Sequence, residues 1–548
     1  MHGRMKTGGE LLIECLEAQG VDRLFCVPGE SYLAALDALH DAKIQVINAR
    51  QEGGAALMAE ADGKLTGRPG ICFVTRGPGA TNAASGVHVA KQDSTPMILF
   101  VGQIGREMRG REAFQEVDYR QTFRDLAKWV EEIDRADRIP EIISHAWHVA
   151  MSGRPGPVVL SLPEDMLRDD VEAAPAPFVR VAAPAPSPQE ITSLADMLQS
   201  AKRPVMMLGG SRWDESSVAQ AREFAEAQGL PVTVTFRRQA LFDHLHPHYA
   251  GDFGIGPNPK LKALVEDADL ILLVGGRLSE MPSQGFDLLD IPKPQTPLVH
   301  VHPGPEELGR IYAPSLAINA APGAFFSVAS SIPAQRDSAR AEEAHEAYLS
   351  WSGKAPATPG RAEMGPIIEH LRDAVPDAIV TNGAGNYATW IHRFWRFRAY
   401  GKQVAPTSGS MGTGLPGAIA AKLRHPDQDV LCFAGDGCFQ MTSQEFGVCA
   451  QYGLPVIVLI IDNASYGTIR MHQERDYPGR VTGTRLLNPD FAAIARAYGG
   501  HGETVEETAE FAPAFARARE SGKPAIIHVK TDVEALSPSL TVSGLRSR

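Results

Sequence analysis

The 548-residue sequence predicts an α/β protein built from three doubly wound parallel-sheet domains, on three observations. Short apolar, β-branched runs alternate with segments of helix length. The runs end in Gly-rich loops, as strands do where they feed parallel crossovers. Two Pro/Ala-containing stretches, 173–188 and 338–359, cut the chain into three blocks, and a chain this long exceeds what a single hydrophobic core supports.

In the first block, residues 6–19 read as an amphipathic helix and 24–27 as a strand ending at Pro28-Gly29-Glu30. A helix over 31–40 and a strand over 44–48 follow. Arg50-Gln51-Glu52-Gly53-Gly54 then opens a small-residue helix, 55–65. The strand 70–75 runs into Arg76-Gly77-Pro78-Gly79-Ala80-Thr81-Asn82, and 97–101 and 158–162 are further strands. The second block carries strands at 205–208, 232–236 and 270–274. Gly209-Gly210 and Gly275-Gly276 read as strand ends and as weak nucleotide-loop patterns. The third block starts near Met364, with strands at 379–381 and 525–529 around a Gly-rich loop, 407–417. Domains at 1–172, 189–337 and 360–548 are expected, the first and third sharing a plan without a residue-level repeat.

Composition narrows the function classes. The chain is 44% hydrophobic and 22% charged with a net charge of −12, and has no Lys/Arg-rich run. Nucleic acid and anionic membranes are therefore poor partners. No apolar run is long enough to cross a bilayer, and residues 1–12 lack the apolar core of a signal peptide. Cys15, Cys26, Cys72, Cys432, Cys438 and Cys449 lie mostly in apolar stretches without metal-ligand spacing. Reduced thiols in a cytoplasmic protein are expected.

The richest chemistry lies at 430–467. An apolar run, 430–434, breaks at Gly435-Asp436-Gly437; a helix is expected over 440–451; a second run, 454–461, stops at Asp462-Asn463. Strand, helix, strand makes one crossover, and ligands gather beyond the carboxyl ends of such strands. Asp436 and Asn463 converge there. A carboxylate, an amide oxygen and a nearby backbone carbonyl suit octahedral Mg²⁺ completed by phosphate oxygens. Gly435 and Gly437 allow close backbone approach, and the helix start offers N–H groups to an anion. Alone, Gly-Asp-Gly is a tight turn before a helix; the Asn one crossover later points to the metal.

These residues resemble the thiamine-diphosphate signature, with Asp462-Asn463 where the usual signature has Asn-Asn. The resemblance implies Mg²⁺ held by Asp436, Asn463 and the carbonyl of Ser465, with Gly435, Gly437 and Cys438 at the cofactor. The first block resembles the acetolactate synthase group through Pro28-Gly29, Arg50-Gln51-Glu52-Gly53, Gly77-Pro78-Gly79-Ala80-Thr81-Asn82 and Asp93-Ser94-Thr95-Pro96. The first and third domains are then the pyrimidine-binding and diphosphate-binding domains. Such a cofactor carries the difficult chemistry, while the protein must deprotonate the thiazolium carbon and place the substrate. A Glu at a dry position suits the first task. Glu52 follows a strand and precedes a Gly/Ala helix; by the resemblance it activates the cofactor, with Gln51 standing where the family usually has His. Without the resemblance it is a helix-start charge favoured by the dipole.

In Ser408-Gly409-Ser410-Met411-Gly412, Met411 resembles the prop that bends the cofactor, and the Gly409 carbonyl the acceptor of its 4′-amine. Gly29 joins the cofactor set. Gly385-Asn386-Tyr387 aligns with a diphosphate-contacting Gly-Gln-His. The activating Glu and the metal site lie in separate domains. The family builds its site between two subunits, which implies a homodimer or homotetramer.

For the substrate, a 2-oxo acid, Phe114-Gln115-Glu116 resembles the synthase segment whose Gln faces it. Two departures favour other outcomes. His472 stands where amino-acid-pathway synthases carry a Trp, and Glu30 where they carry a small residue. An acid at Glu30 could protonate the nascent product and favour decarboxylation or C–C hydrolysis over carboligation; in the bland reading it is an exposed helix-start charge. The expectation is an acetolactate-synthase-like enzyme with carboligation ahead of simple decarboxylation. A flavin-linked oxo-acid oxidase and a non-catalytic cofactor-binding subunit are the alternatives from other classes. FAD stays open: Arg277 resembles a flavin-proximal position, but His300-Val301-His302-Pro303 replaces the usual Asp-containing stretch.

Overall fold

The computed structural model describes residues 5–335 and 337–547. The signal-peptide reading, so far as it rests on residues 1–4, lies outside them. The chain divides into two compact units. One comprises residues up to 182 with 419–425 and 442–454; the other comprises 183–418, 426–441 and 455–548.

The first unit holds six strands, β1 (Arg23–Cys26), β2 (Gln45–Asn48), β3 (Gly70–Val74), β4 (Met97–Gln103), β5 (Trp129–Glu132) and β6 (Pro157–Pro163). They lie in the order β2-β1-β3-β4-β6-β5, every pairing parallel. Residues 6–7 form not helix but a short strand, paired antiparallel with 170–171. The Thr7 hydroxyl accepts from the Glu10 N–H while the Glu10 carboxylate accepts from the Thr7 N–H, so the helix starts at Gly8. Two helices carry the motif loops: α1 (Glu52–Thr66) and α2 (Pro78–Asp93). They pack closely, because a Cβ on Gly86 would lie 2.4 Å from Ala56 Cβ. Strand β5 escaped the sequence reading because its Trp-Val-Glu-Glu is half-buried throughout and shows no alternation.

The second unit holds two sheets. The first contains β7 (Pro204–Leu208), β8 (Val232–Thr235), β9 (Tyr249–Phe253), β10 (Leu270–Val274), β11 (Leu298–His302) and β12 (Leu316–Asn319), in the order β9-β8-β7-β10-β11-β12. This is the doubly wound 3-2-1-4-5-6 arrangement. The second contains β13 (Ile379–Asn382), β14 (Gln403–Val404), β15 (Val430–Gly435), β16 (Ile457–Asp462), β17 (His501–Val505) and β18 (Ala525–Lys530). Its order, β14-β13-β15-β16-β18-β17, repeats that of the first unit.

The stretch 338–359 is not a linker throughout. Residues 339–352 form a helix, α3 (Ala339–Ser352), that buries Ala341, His345, Tyr348 and Ser352. Their i, i+4, i+7, i+11 spacing is one helical stripe, hidden by the charges between them. His345 Nδ1 lies 2.9 Å from the Tyr249 carbonyl, and Tyr348 meets the Tyr249 ring edge-on at 4.7 Å. The expected helix at 440–451 is broken into α4 (Asp436–Gln440), a 3₁₀ turn at Ser443–Glu445 and α5 (Phe446–Tyr452). The last labelled helix is α6 (Gly467–Asp476). No helix among the described residues is long and apolar enough to cross a membrane.

Buried histidines mark the second unit. Burial depresses His244 and His392 to about 3 and His302 to about 4. A base depressed in the folded state stabilises the fold above its unfolded value near 6.5 and loses that contribution as pH falls toward the folded value. At pH 5 each such histidine therefore costs about 2 kcal/mol relative to neutrality. His392 packs edge-on to Phe236 at 5.9 Å, and its Nε2 is buried with no partner among the described residues. The variant His392→Phe is expected to melt higher than the parent at pH 5 and within a degree or two of it at pH 7.5. Differential scanning fluorimetry across that range checks the sign.

Candidate active site

In the second unit a cleft of about 240 Å³, open to solvent, lies at the carboxyl ends of β15 and β16. Parallel pairing sets Gly435 beside Ile461, so the residues that follow each strand emerge side by side. Asp436, 2% exposed, opens α4, and Asn463 follows β16. One backbone N–H joins them: that of Ser465 donates to Asp436 Oδ2 at 3.2 Å and to Asn463 Oδ1 at 3.1 Å. Ser465 faces Arg485 in a β-bridge whose hydrogen bonds come from Tyr466 N–H and Leu486 N–H, so the bridge leaves the Ser465 carbonyl unused.

The other predicted cofactor residues line the same cleft: Gly385, Asn386, Tyr387, Gly409, Met411, Gly435, Gly437 and Cys438. Gly409, at φ 70°, is the position where an added Cβ would meet nothing within 4 Å. A Cβ on Gly435 or Gly437 would run into the rings of Tyr387 (3.1 Å) and Tyr466 (2.5 Å) respectively, so their missing side chains also make room for aromatic packing. Tyr387 is buried, and its hydroxyl accepts from the Gly383 N–H at 3.1 Å and donates to Cys438 Sγ at 3.5 Å. The Gly412 N–H donates to the same sulfur at 3.2 Å. Asn386 is bonded too, its Oδ1 accepting from the Thr468 hydroxyl at 3.0 Å.

A second acid adjoins the first. The Asn488 amide donates to Asp436 Oδ2 and to Asp462 Oδ1, both at 2.7 Å. Asp462 also accepts from His528 Nε2 at 2.7 Å and the Ala464 N–H at 2.8 Å. Burial would raise Asp462, but these hydrogen bonds outweigh it and hold the carboxyl below its usual range. Burial pushes Asp436 up to about 6, against the pull of Asn488, and the Asp462 charge adds to the rise. A buried carboxylate without a cationic neighbour, beside an amide oxygen and an uncommitted carbonyl, fits a divalent cation. Asn488, His528, Tyr466 and Thr468 were missed by the sequence reading. Asn488 and His528 lie far along the chain with no spacing that links them to Asp436, whereas Tyr466 and Thr468 closely follow Ser465 and carry no motif of their own.

In the first unit, Glu52 starts α1 and is half-buried in a single chain rather than dry. Asn82 Nδ2 donates to its Oε2 at 3.0 Å. A Cβ on Gly79 would sit 3.3 Å from Oε1, so the Gly77-Pro78-Gly79 loop packs directly on this carboxylate. Gln115, with its backbone at φ 66°, covers the same loop: a Cβ on Gly77 would lie 2.8 Å from Gln115 Cβ. Gly29 fits against Thr75, where a Cβ would come within 2.4 Å. Glu30 is ion-paired with Arg76 at 2.9 Å and its side chain is 73% exposed; Arg76 also holds Glu164 at 3.1 Å.

Comparison with known proteins follows this layout. Residues 6–122 match the thiamine pyrophosphate enzyme N-terminal TPP binding domain, 191–328 the central domain and 383–529 the C-terminal TPP binding domain. The chain is 32% identical over 545 residues to an acetolactate synthase large subunit of Parasynechococcus marenigrum, covering 95% of this chain and 87% of that protein. It is 32% identical over 544 residues to the acetolactate synthase isozyme 1 large subunit of Escherichia coli, with 96% and 94% covered. The isozyme 2 large subunit of the same organism is 30% identical, with 96% of each chain covered. The chain belongs to the thiamine pyrophosphate enzymes of the acetolactate synthase type.

Within that family frame, three departures acquire structure. Asp462, in place of Asn, recruits His528 and Asn488. Tyr387, in place of His, lines the cleft but turns its hydroxyl into the floor. His472 lies on α6 and is not among the cleft-lining residues; Ile469 of the same helix is. Because the Tyr387 hydroxyl serves the floor, Tyr387→Phe is expected to cost about 1–3 kcal/mol by stranding the Gly383 N–H. Its affinity for thiamine diphosphate, read by isothermal titration, should stay within about twofold. A tenfold loss of affinity at unchanged melting temperature would instead assign the hydroxyl to the cofactor.

Proposed function

We propose that this chain is a thiamine-diphosphate- and Mg²⁺-dependent enzyme that decarboxylates a pyruvate-type 2-oxo acid and joins the remaining fragment to a second carbonyl compound. The reading is carried by the convergence of Asp436 and Asn463 on the Ser465 N–H, inside a cleft that also presents Gly409 and Met411. Its domains are assigned as 1–172, 189–337 and 360–548. The enzyme works as a homodimer or homotetramer in the cytoplasm, where its six buried thiols stay reduced.

When bound, thiamine diphosphate supplies a thiazolium carbon that adds to a carbonyl and holds the electrons released by decarboxylation. Asp436, Asn463 and the Ser465 carbonyl would hold Mg²⁺ at the diphosphate, Met411 would prop the cofactor, and the Gly409 carbonyl would accept from its amine. Glu52 of the partner subunit holds and returns the proton at the pyrimidine ring nitrogen, its carboxylate oriented by the Asn82 amide. Gln115, on the Gly77 loop beside Glu52, orients the substrate carboxylate or carbonyl. Glu30 Oε1 is ion-paired with Arg76 at 2.9 Å and the side chain is 73% exposed, and this reading assigns Glu30 to that pair rather than to protonating product. FAD has no part in this reading.

Isothermal titration should find thiamine diphosphate uptake that requires Mg²⁺ and is lost in Asp436→Ala and Asn463→Ala. The variant Glu52→Gln should still bind the cofactor but exchange its thiazolium C2 hydrogen about 10²–10⁴-fold more slowly. With pyruvate, the parent should form acetolactate; acetaldehyde alone would overturn the ligating activity. The variant Glu30→Ala should keep the product ratio of the parent, whereas a shift from aldehyde toward acetolactate would restore the proton-donor role.

A further inference from the structure

A carboxyl group that the mechanism leaves unused sits directly behind Glu52. Glu445 is fully buried and belongs to the first unit. Its Oε2 and Oε1 accept from the Arg50 N–H at 3.0 and 3.3 Å, and the Gln51 N–H points to the same carboxyl. These are the last two amides before Glu52. Gly54 makes the approach possible, since a Cβ there would lie 2.4 Å from Glu445 Oε1.

The surrounding contacts hold the same turn. Arg50 Nη2 donates to Gln451 Oε1 at 2.6 Å and to the Gly447 carbonyl at 3.3 Å, both on α5. The Tyr452 hydroxyl accepts from the Asn48 N–H at 2.9 Å and donates to the Val46 carbonyl at 3.2 Å. The Gln51 side chain caps α1 by accepting from the Gly54 N–H at 3.1 Å. The segment 445–452 thus docks on β2 and on the turn into α1, and Glu445 is its only carboxylate on that turn among the described residues.

We propose that Glu445 is a positioning residue for Glu52: its carboxylate accepts from the Arg50 N–H at the turn into α1 and so fixes where the Glu52 carboxylate stands. The inference rests on the reading of Glu52 as the activating acid. Burial pushes the Glu445 carboxyl up to about 7, and the Arg50 and Gln51 amides pull it back. The group is therefore costly to keep where it is unless those amides are its purpose.

Amide hydrogen exchange and thiazolium C2 exchange of bound thiamine diphosphate test this without a substrate. In the parent, the Arg50 and Gln51 amides should be protected, and in Glu445→Gln they should exchange at least about tenfold faster. The same variant should slow C2 exchange about 10- to 100-fold, while its cofactor affinity stays within about threefold and its melting temperature within a few degrees. Glu445→Asp, which keeps an acceptor, should recover most of the rate. In a Glu52→Gln background the Glu445→Gln change should add nothing, because it acts through Glu52. Should Glu445→Gln fail to fold, Gly54→Ala, which drives a methyl group into the Glu445 carboxylate, carries the same expectation. Unprotected amides in the parent, parental C2 exchange in Glu445→Gln, or losses that multiply in the double variant would each overturn the proposal. If Glu52→Gln alone leaves C2 exchange unchanged, it is the assignment of Glu52 that falls.

Discussion

One backbone N–H, that of Ser465, shared between Asp436 and Asn463, is the contact on which the candidate site depends. The two side chains meet only because β15 and β16 run parallel in register, which brings their carboxyl ends out together. An antiparallel pairing would send them to opposite edges of the sheet. The same hydrogen bonds orient both oxygens toward one point.

Electrostatics separates the two neighbouring acids. Asp436 is raised because it is buried, and Asp462 is held low because His528, Asn488 and the Ala464 N–H supply what water would have supplied. The Asn488 amide donates to both, so one donor serves the two neighbouring carboxyls. The Asp that precedes Asn463 is thus matched by a histidine from β18 and an amide from a distant loop. The result is one buried carboxyl that is raised and a neighbour that is held low.

The crossover that begins at Asp436 also reaches Glu445, nine residues later, and Glu445 supports the turn that carries Glu52. The breaks after α4 and at the Ser443–Glu445 turn are what place Glu445 there, since an unbroken helix would not turn its first carboxylate to the Arg50 amide. Close backbone approach recurs wherever the site is assembled. Gly54 admits Glu445, Gly79 admits Glu52, Gly77 admits Gln115, and Gly437 admits Tyr466. At each of these points a side chain would displace a group the site uses.

Much of this was legible in the chain itself. Fold class, the three blocks, most central strands and the pairing of Asp436 with Asn463 followed from apolar runs, Gly-rich strand ends and spacing within one crossover, while Glu52 was singled out by the resemblance of its motif to the acetolactate synthase group. These are local signals, and local signals survive without a structure. Half-buried or short strands such as β5 and β14 did not, because their residues lack a clear period. The charged stretch at 339–352 was mistaken for a linker because only the packed structure reveals which four of its residues are inside. Only tertiary structure decided that Tyr387 serves the floor of the cleft, that Glu30 is tied to Arg76, that Asn488 and His528 hold the acids of the second unit, and that Glu445 reaches the Arg50 amide in the first. Each of those depends on hydrogen bonds between residues tens to hundreds of positions apart. Distance along the chain carries no record of them, because direction and burial are properties of the folded state alone.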